Sequence, residues 1–257
     1  MAGQIDVRRS HGGQVATVVV DHDAKLNTLN PALMEEFIAT FASLGEDAGL
    51  RAVVLTGAGP RAFIGGADIS VMAAVQDSAG GEAFIRLVHG CCRAVRDCPV
   101  PVLARINGWC LGAGLEIAAA CDLRIAVETA KFGMPEVRVG IPSVVEAALL
   151  PGLIGWGRTR RLLLLAETIG AAEALDWGLL ERVVPGDGLD AAVEAWVELL
   201  LEAGPQAIRA QKALIRQWED LNTTQAIEAG IHAFAASWRT DEPVRMLGGF
   251  MARKRGG

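Results

Sequence analysis

The chain has little of what metal and redox sites are built from. Its five cysteines, at 91, 92, 98, 110 and 121, are an odd number in apolar surroundings with no CxxC pair. They read as reduced, packed thiols of a cytosolic protein, not as a disulfide framework or a zinc site. His11, His22, His89 and His232 are scattered without metal-ligand spacing, so each is expected to be structural and no metal is expected. There is no GxSxG elbow, HExxH motif or P-loop, and Gly57-Ala58-Gly59 lacks the third glycine of a dinucleotide fingerprint. No stretch reaches the ~20 apolar residues of a membrane-spanning helix, and residues 1–6 carry no basic flank with an apolar segment of the secretory kind. A soluble, cytoplasmic protein without a membrane partner is expected. A formal net charge of −6 argues against nucleic acid as the main partner. Neither fixed-period repeats nor low-complexity segments occur.

What is present suits one large domain, or a domain with an appendage: 257 residues, about half of them hydrophobic. Apolar, β-branched runs at 14–21 and 52–56 predict strands, with an amphipathic helix at 31–44 between them. A helix over 82–98 is followed by Pro99 and Pro101, then by a short buried strand at 102–106. A helix opening near Gly112, a strand at 123–126 and a helix over about 144–150 follow. Beyond Gly155 the spacing predicts helices at 158–167, 171–177, 189–203, 205–221 and 224–238, and β structure only at 181–184. Recurring strand and helix units with a helical tail predict α/β layering.

Two segments carry chemistry: Asn107-Gly108-Trp109-Cys110-Leu111-Gly112-Ala113-Gly114-Leu115-Glu116 and Met134-Pro135-Glu136-Val137-Arg138-Val139-Gly140. Each sets a carboxylate beside Gly-rich or Pro-bounded backbone, which suits proton transfer next to a developing oxyanion. Glycines just before a helix let the backbone approach a ligand while first-turn amides stay unpaired, and the helix dipole favours negative charge there. Singly, Glu116 and Glu136 also fit plain helix-end or solvated acids.

These segments, with Gly57-Ala58-Gly59-Pro60-Arg61-Ala62-Phe63-Ile64-Gly65-Gly66-Ala67-Asp68-Ile69 and Lys25-Leu26-Asn27-Thr28-Leu29-Asn30, resemble in family order the motifs of the crotonase family, the enoyl-CoA hydratases and isomerases. The resemblance covers nearly the whole chain. It implies a crotonase spiral of ββα units over residues 1–196 and a C-terminal helical trimerisation region over 197–257, assembled as trimers or hexamers. It implies an acyl-CoA substrate and no separate cofactor, coenzyme A being part of the substrate. Ala67 and Ala113 match the two oxyanion amides, and Glu116 and Glu136 the two catalytic acids. Ala24 and Leu26 are implied to meet the adenine, with Lys25 near a phosphate. Arg61, Arg253 and Lys254 are further basic groups that could meet a CoA phosphate. Gly65, Asp68 and Ile69 are expected along the CoA channel, Asp68 reading equally well as the N-cap of a helix opening at Ile69, and Phe250 and Lys254 are implied to reach a neighbouring subunit's CoA.

Two departures bear on the substrate. Ala113 stands where many relatives have glycine, which keeps the amide but adds a methyl. The stretch Pro142-Ser143-Val144-Val145-Glu146 replaces a Gly-rich one. Glu146, Pro142 and Trp109 are therefore acyl-pocket candidates, and a solvated first-turn acid is the other reading of Glu146. Hydration needs a base for water and an acid for Cα, whereas double-bond isomerisation runs with one shuttling Glu. Both acids being kept favours a hydratase over an isomerase or a non-catalytic acyl-CoA-binding scaffold. A serine peptidase on a related fold would need a Ser-His pair, and no His flanks the Gly-rich turn.

Overall fold

The computed structural model describes residues 3–255, with backbone alone for 253–255. The chain opens with an antiparallel hairpin, β1 (Gln4–Ser10) on β2 (Val15–Asp21). β2 answers the apolar run. β1 escaped it because it is an edge strand on which only Ile5 is buried, leaving no apolar signature. Helix α1 (Pro31–Glu46) starts where Asn30 accepts from the Leu33 amide and Pro31 takes the first position, and it buries Leu33, Met34, Phe37, Phe41 and Leu44.

From here the chain winds between two sheets. β3 (Ala52–Gly57) joins the large sheet and β4 (Ala62–Ile64) the small one, before α2 (Ile69–Ala73) and α3 (Ser78–Asp97). β5 (Val102–Ile106) and β6 (Trp109–Leu111) repeat the step and lead into α4 (Ala113–Ala120). β7 (Leu123–Val127) and β8 (Lys131–Gly133) repeat it again and lead to α5 (Leu150–Leu165). β9 (Thr168–Gly170), α6 (Ala171–Trp177), β10 (Arg182–Val184) and α7 (Leu189–Glu202) complete the core. The large sheet runs β1-β2-β3-β5-β7-β10, parallel beyond the first hairpin, and the small one β4-β6-β8-β9, parallel except for β8 on β9. This is the expected α/β spiral of strand–strand–helix units. The strands of the small sheet are three residues each, too short for periodicity to reveal.

The helix expected over 144–150 is corrected. Val144 is extended, Val145–Leu149 forms a 3-10 turn, and α5 begins only at Leu150. α5 is kinked at Gly155 (φ +75°, ψ 159°), and its second part covers most of the segment expected at 158–167, ending at Leu165. Paired β-branched residues after Pro142 resist the α conformation there.

The tail consists of α8 (Pro205–Trp218), α9 (Thr223–Ser237) and α10 (Glu242–Arg255). Asn222 and Gln225 form a capping box at the start of α9. Buried Glu242 accepts from the Gln206 and Ala207 amides, so α10 caps α8. The 196/197 boundary drawn from sequence falls inside α7, whose Val193 and Val197 pack into the core. Ile227, Ile231, Phe234, Trp238, Leu247 and Phe250 stay exposed on the tail.

Candidate active site

Parallel register in the small sheet assembles the site. Ile64 pairs with Cys110 and Leu111 with Gly133, so the chain leaves β4, β6 and β8 at the same edge. The three exits are Gly65-Gly66-Ala67, Gly112-Ala113 and Met134-Pro135-Glu136. The Gly112 amide donates to the Gly133 carbonyl at 3.0 Å, tying the second exit to the third. Two buried asparagines brace the rest. Asn107 Nδ2 donates to the carbonyls of Gly57 and Ala62. Asn27 Nδ2 donates to those of Ala58 and Ala62.

Gly112 has φ +50° and ψ −123°, a conformation that side-chain-bearing residues avoid, and a Cβ there would collide with Glu136 Oε1. Gly66, at φ +111°, makes the matching turn after β4. Among the described residues, neither the Ala67 amide nor the Ala113 amide donates to a protein acceptor. For Ala113 the cause is its place as first residue of a helix. For Ala67 it is the bridge to Leu29, in which only its flanking residues take part.

Both amide-bearing residues line a cavity of about 180 Å³, together with Gly65, Ile69, Glu116, Glu136 and Pro142. Met72, Phe84, Ile85, Val88, Leu111, Val139, Ile141 and Val144 make its apolar wall. A larger apolar groove of about 780 Å³ lies elsewhere, among α8, α9 and α10.

Glu116 is 5% exposed because α4 is buried along its whole length. Burial, then the charges of Glu136 and Glu146, push its carboxyl from the ordinary 4.5 to about 8. The backbone amides of Ala147 and Val144 oppose that rise. Glu136 is half-buried at the head of a 3-10 turn, Glu136–Val139, and its Oε2 accepts from Ser143 Oγ at 2.7 Å. The two acids thus differ: one desolvated, one partly wet and held by a hydroxyl.

Other expected residues fall around this centre or outside it. Ala24, Lys25 and Leu26 form a loop against the first exit, with the Leu26 carbonyl accepting from the Gly65 amide at 2.9 Å. Lys25 Nζ lies 2.9 Å from Asp68 Oδ2. Asp68 also caps α2 through Ser70, and hydrogen bonds from Ser70, then Lys25, hold its carboxyl at about 2. The Arg61 guanidinium reaches Asp23. Phe250 is exposed on α10, and the Lys254 and Arg253 side chains lie outside the described residues.

Two acyl-pocket expectations are corrected. Trp109 sits at the start of β6 and turns away, 39% exposed and outside the cavity lining. Glu146 is neither a solvated acid nor part of that lining. It is buried, and its Oε1 meets His89 Nδ1 at 2.9 Å. Sequence reasoning missed Ser143, His89, Asn27 and Asn107, whose partners lie up to 57 residues away with no local spacing to betray them. Among the described residues, no cluster of His, Cys, Asp and Glu could hold a metal ion, and no helix is long and apolar enough to cross a membrane.

Two sheets wound by strand–strand–helix steps, with two free amides and two carboxylates at one sheet edge, define a crotonase-fold protein. Enoyl-CoA hydratase from Bacillus anthracis matches the structure at TM-score 0.92 and 31% identity, over 97% of this chain and 96% of that one. The Mycobacterium smegmatis enoyl-CoA hydratase matches at TM-score 0.93 and 26% identity, over 97% and 96%. The enoyl-CoA hydratase/isomerase family model matches residues 10–254, and the chain belongs to that family. Similar relatives include a short-chain-enoyl-CoA hydratase of Clostridium acetobutylicum, 34% identical over 95% of this chain and 93% of the relative. A crotonyl-CoA hydratase of Syntrophomonas wolfei is 31% identical over 94% and 93%.

Proposed function

We propose that the protein hydrates short-chain 2-enoyl-CoA thioesters, or dehydrates the corresponding 3-hydroxyacyl-CoA. The observation that carries this is the convergence of two unengaged amides and two unlike carboxylates on one cavity. The Ala67 and Ala113 amides would receive the thioester oxygen as it gains enolate charge, and one such donor is worth about 3–4 kcal/mol of barrier. Glu116 takes a proton from the attacking water, whose oxygen bonds to Cβ, and Glu136 gives a proton to Cα while helping to hold that water. Water is added without net oxidation, so the reaction calls for no redox cofactor, and coenzyme A arrives with the substrate.

A small, apolar-walled cavity supports a short acyl chain, since about 180 Å³ is below the ~300–1,000 Å³ of drug-sized pockets. Names of relatives point the same way. Lys25, in the loop bordering the first exit, and Arg61, which reaches Asp23 from the turn before β4, are assigned to the CoA phosphates, with Ala24 and Leu26 at the adenine. The exposed apolar residues of α9 and α10 are assigned to subunit contacts in a trimer or dimer of trimers, where Phe250 and Lys254 would serve a neighbour's CoA.

A panel of enoyl-CoAs followed by mass spectrometry tests the reading. Gain of one water supports it. An isobaric shift of the double bond replaces it with the isomerase reading, and binding without turnover replaces it with an acyl-CoA-binding scaffold.

A further inference from the structure

Glu146 has no part in the chemistry above, yet it is buried beside it. Only 4% of the residue is exposed. Its Oε1 meets His89, and its Oε2 is buried without a hydrogen-bond partner among the described residues. A carboxylate left half satisfied in a protein interior weakens a fold unless the position serves another end. The backbone carrying it is also strained: Val145, a β-branched residue, sits at φ +40°. That turn packs against α4 and carries groups of opposite effect on Glu116. The Val144 and Ala147 amides favour its charged form, and the Glu146 carboxylate opposes it.

His89 follows Val88 of the cavity wall on α3, and its side chain is 47% exposed, so it links the buried acid to solvent. The titratable groups facing Glu146 are His89 and Cys92 from α3 and Glu116 from α4, and Glu136 also acts on Glu116. On α5, which packs against the turn, Arg158 and Arg161 are engaged with Asp176, Glu167 and Glu173.

We propose that Glu146 and His89 are a positioning pair for Glu116, in which His89 holds the buried Glu146 carboxyl in place at the turn packed on α4, and that carboxyl governs when Glu116 gives up its proton. Without His89 the Glu146 carboxyl would keep no hydrogen-bond partner among the described residues, and an unpaired acid does not hold its place in the interior. Its effect on Glu116 would then be lost. The proposal rests on the hydratase reading only where catalysis is used as the readout.

The test is an infrared carboxyl titration of the substrate-free protein, with Glu116→Gln identifying the Glu116 band, beside pH profiles of kcat/KM. In Glu146→Gln the Glu116 proton affinity should fall roughly tenfold, moving its titration about one pH unit toward acid. The acidic limb of kcat/KM should move with it. His89→Ala, a change at a half-exposed site, should reproduce the shift, and the double variant should add nothing. A Glu116 titration unmoved in either single variant, or effects that add in the double, overturns the proposal. If no enoyl-CoA is hydrated at any pH, the functional reading fails, while the infrared arm still decides this one.

Discussion

Replacing Gly112 by alanine perturbs the site at its narrowest point. The residue occupies φ +50° and ψ −123°, and an added Cβ would meet Glu136 Oε1. Holding a side-chain-bearing residue in such a region costs about 1–3 kcal/mol. In a chain of this size each kcal/mol lowers Tm by about 2–4 °C, so a drop of roughly 2–12 °C is expected in calorimetry. The catalytic effect should be larger. Glu136 must swing away from the new methyl or give up its Ser143 contact, and a displacement of about 1 Å in a reacting group costs on the order of 100-fold. We expect kcat for crotonyl-CoA hydration to fall by about that factor in protein that still folds and assembles. Gly152→Ala is the control, because a Cβ there meets nothing within 4 Å. It should leave kcat and Tm nearly unchanged. A Gly112→Ala enzyme that keeps kcat within a few-fold of wild type would show that Glu136 does not work from this position.

Glu116→Gln and Glu136→Gln should each lower hydration by several orders of magnitude, with the double variant little worse, because groups acting in one step are non-additive; full activity in either single variant removes the two-acid mechanism. The base must be ionised, so kcat/KM should decline as pH falls below about 8, and a profile flat from pH 6 to 9 contradicts Glu116 in that role. Its raised value also bears on stability: the contribution is fully present below 4.5 and is lost as pH rises through about 8, up to about 5 kcal/mol in all. Glu116→Gln should therefore resist urea better than wild type at pH 9, with no such gain at pH 4.5. Ala113→Pro removes an amide from the first position of α4, where proline is conformationally tolerated, so folded but inactive protein is expected, whereas Ala113→Gly should be mild; an active proline variant refutes the oxyanion assignment. Sedimentation at micromolar concentration should find trimers or hexamers, and a monomer would leave the exposed residues of α9 and α10 unexplained.

Much of this molecule was legible in its residue order. β2, β3, β5 and β7 are dominated by apolar, largely β-branched residues because both faces are mostly buried. α1 and α3 show their apolar stripes and start at side-chain caps. The strands of the small sheet and β1 were not legible, being too short or too exposed to leave a periodic mark. α10 was hidden by Gly248 and Gly249, which lower helix propensity in its middle.

The site divides along the same line. Sequence alone determined that two acids and two Gly-rich turns exist at spacings matching an enoyl-CoA hydratase/isomerase, because those marks are local. Their meeting was decided by the pairing of β4, β6 and β8, which fixes all three exits at one edge. Tertiary structure alone also set Trp109 outside the cavity and buried Glu146 against His89. The physical reason is common to these: the burial of a side chain and the charges around it depend on elements distant in the chain, and no local pattern of residues encodes them.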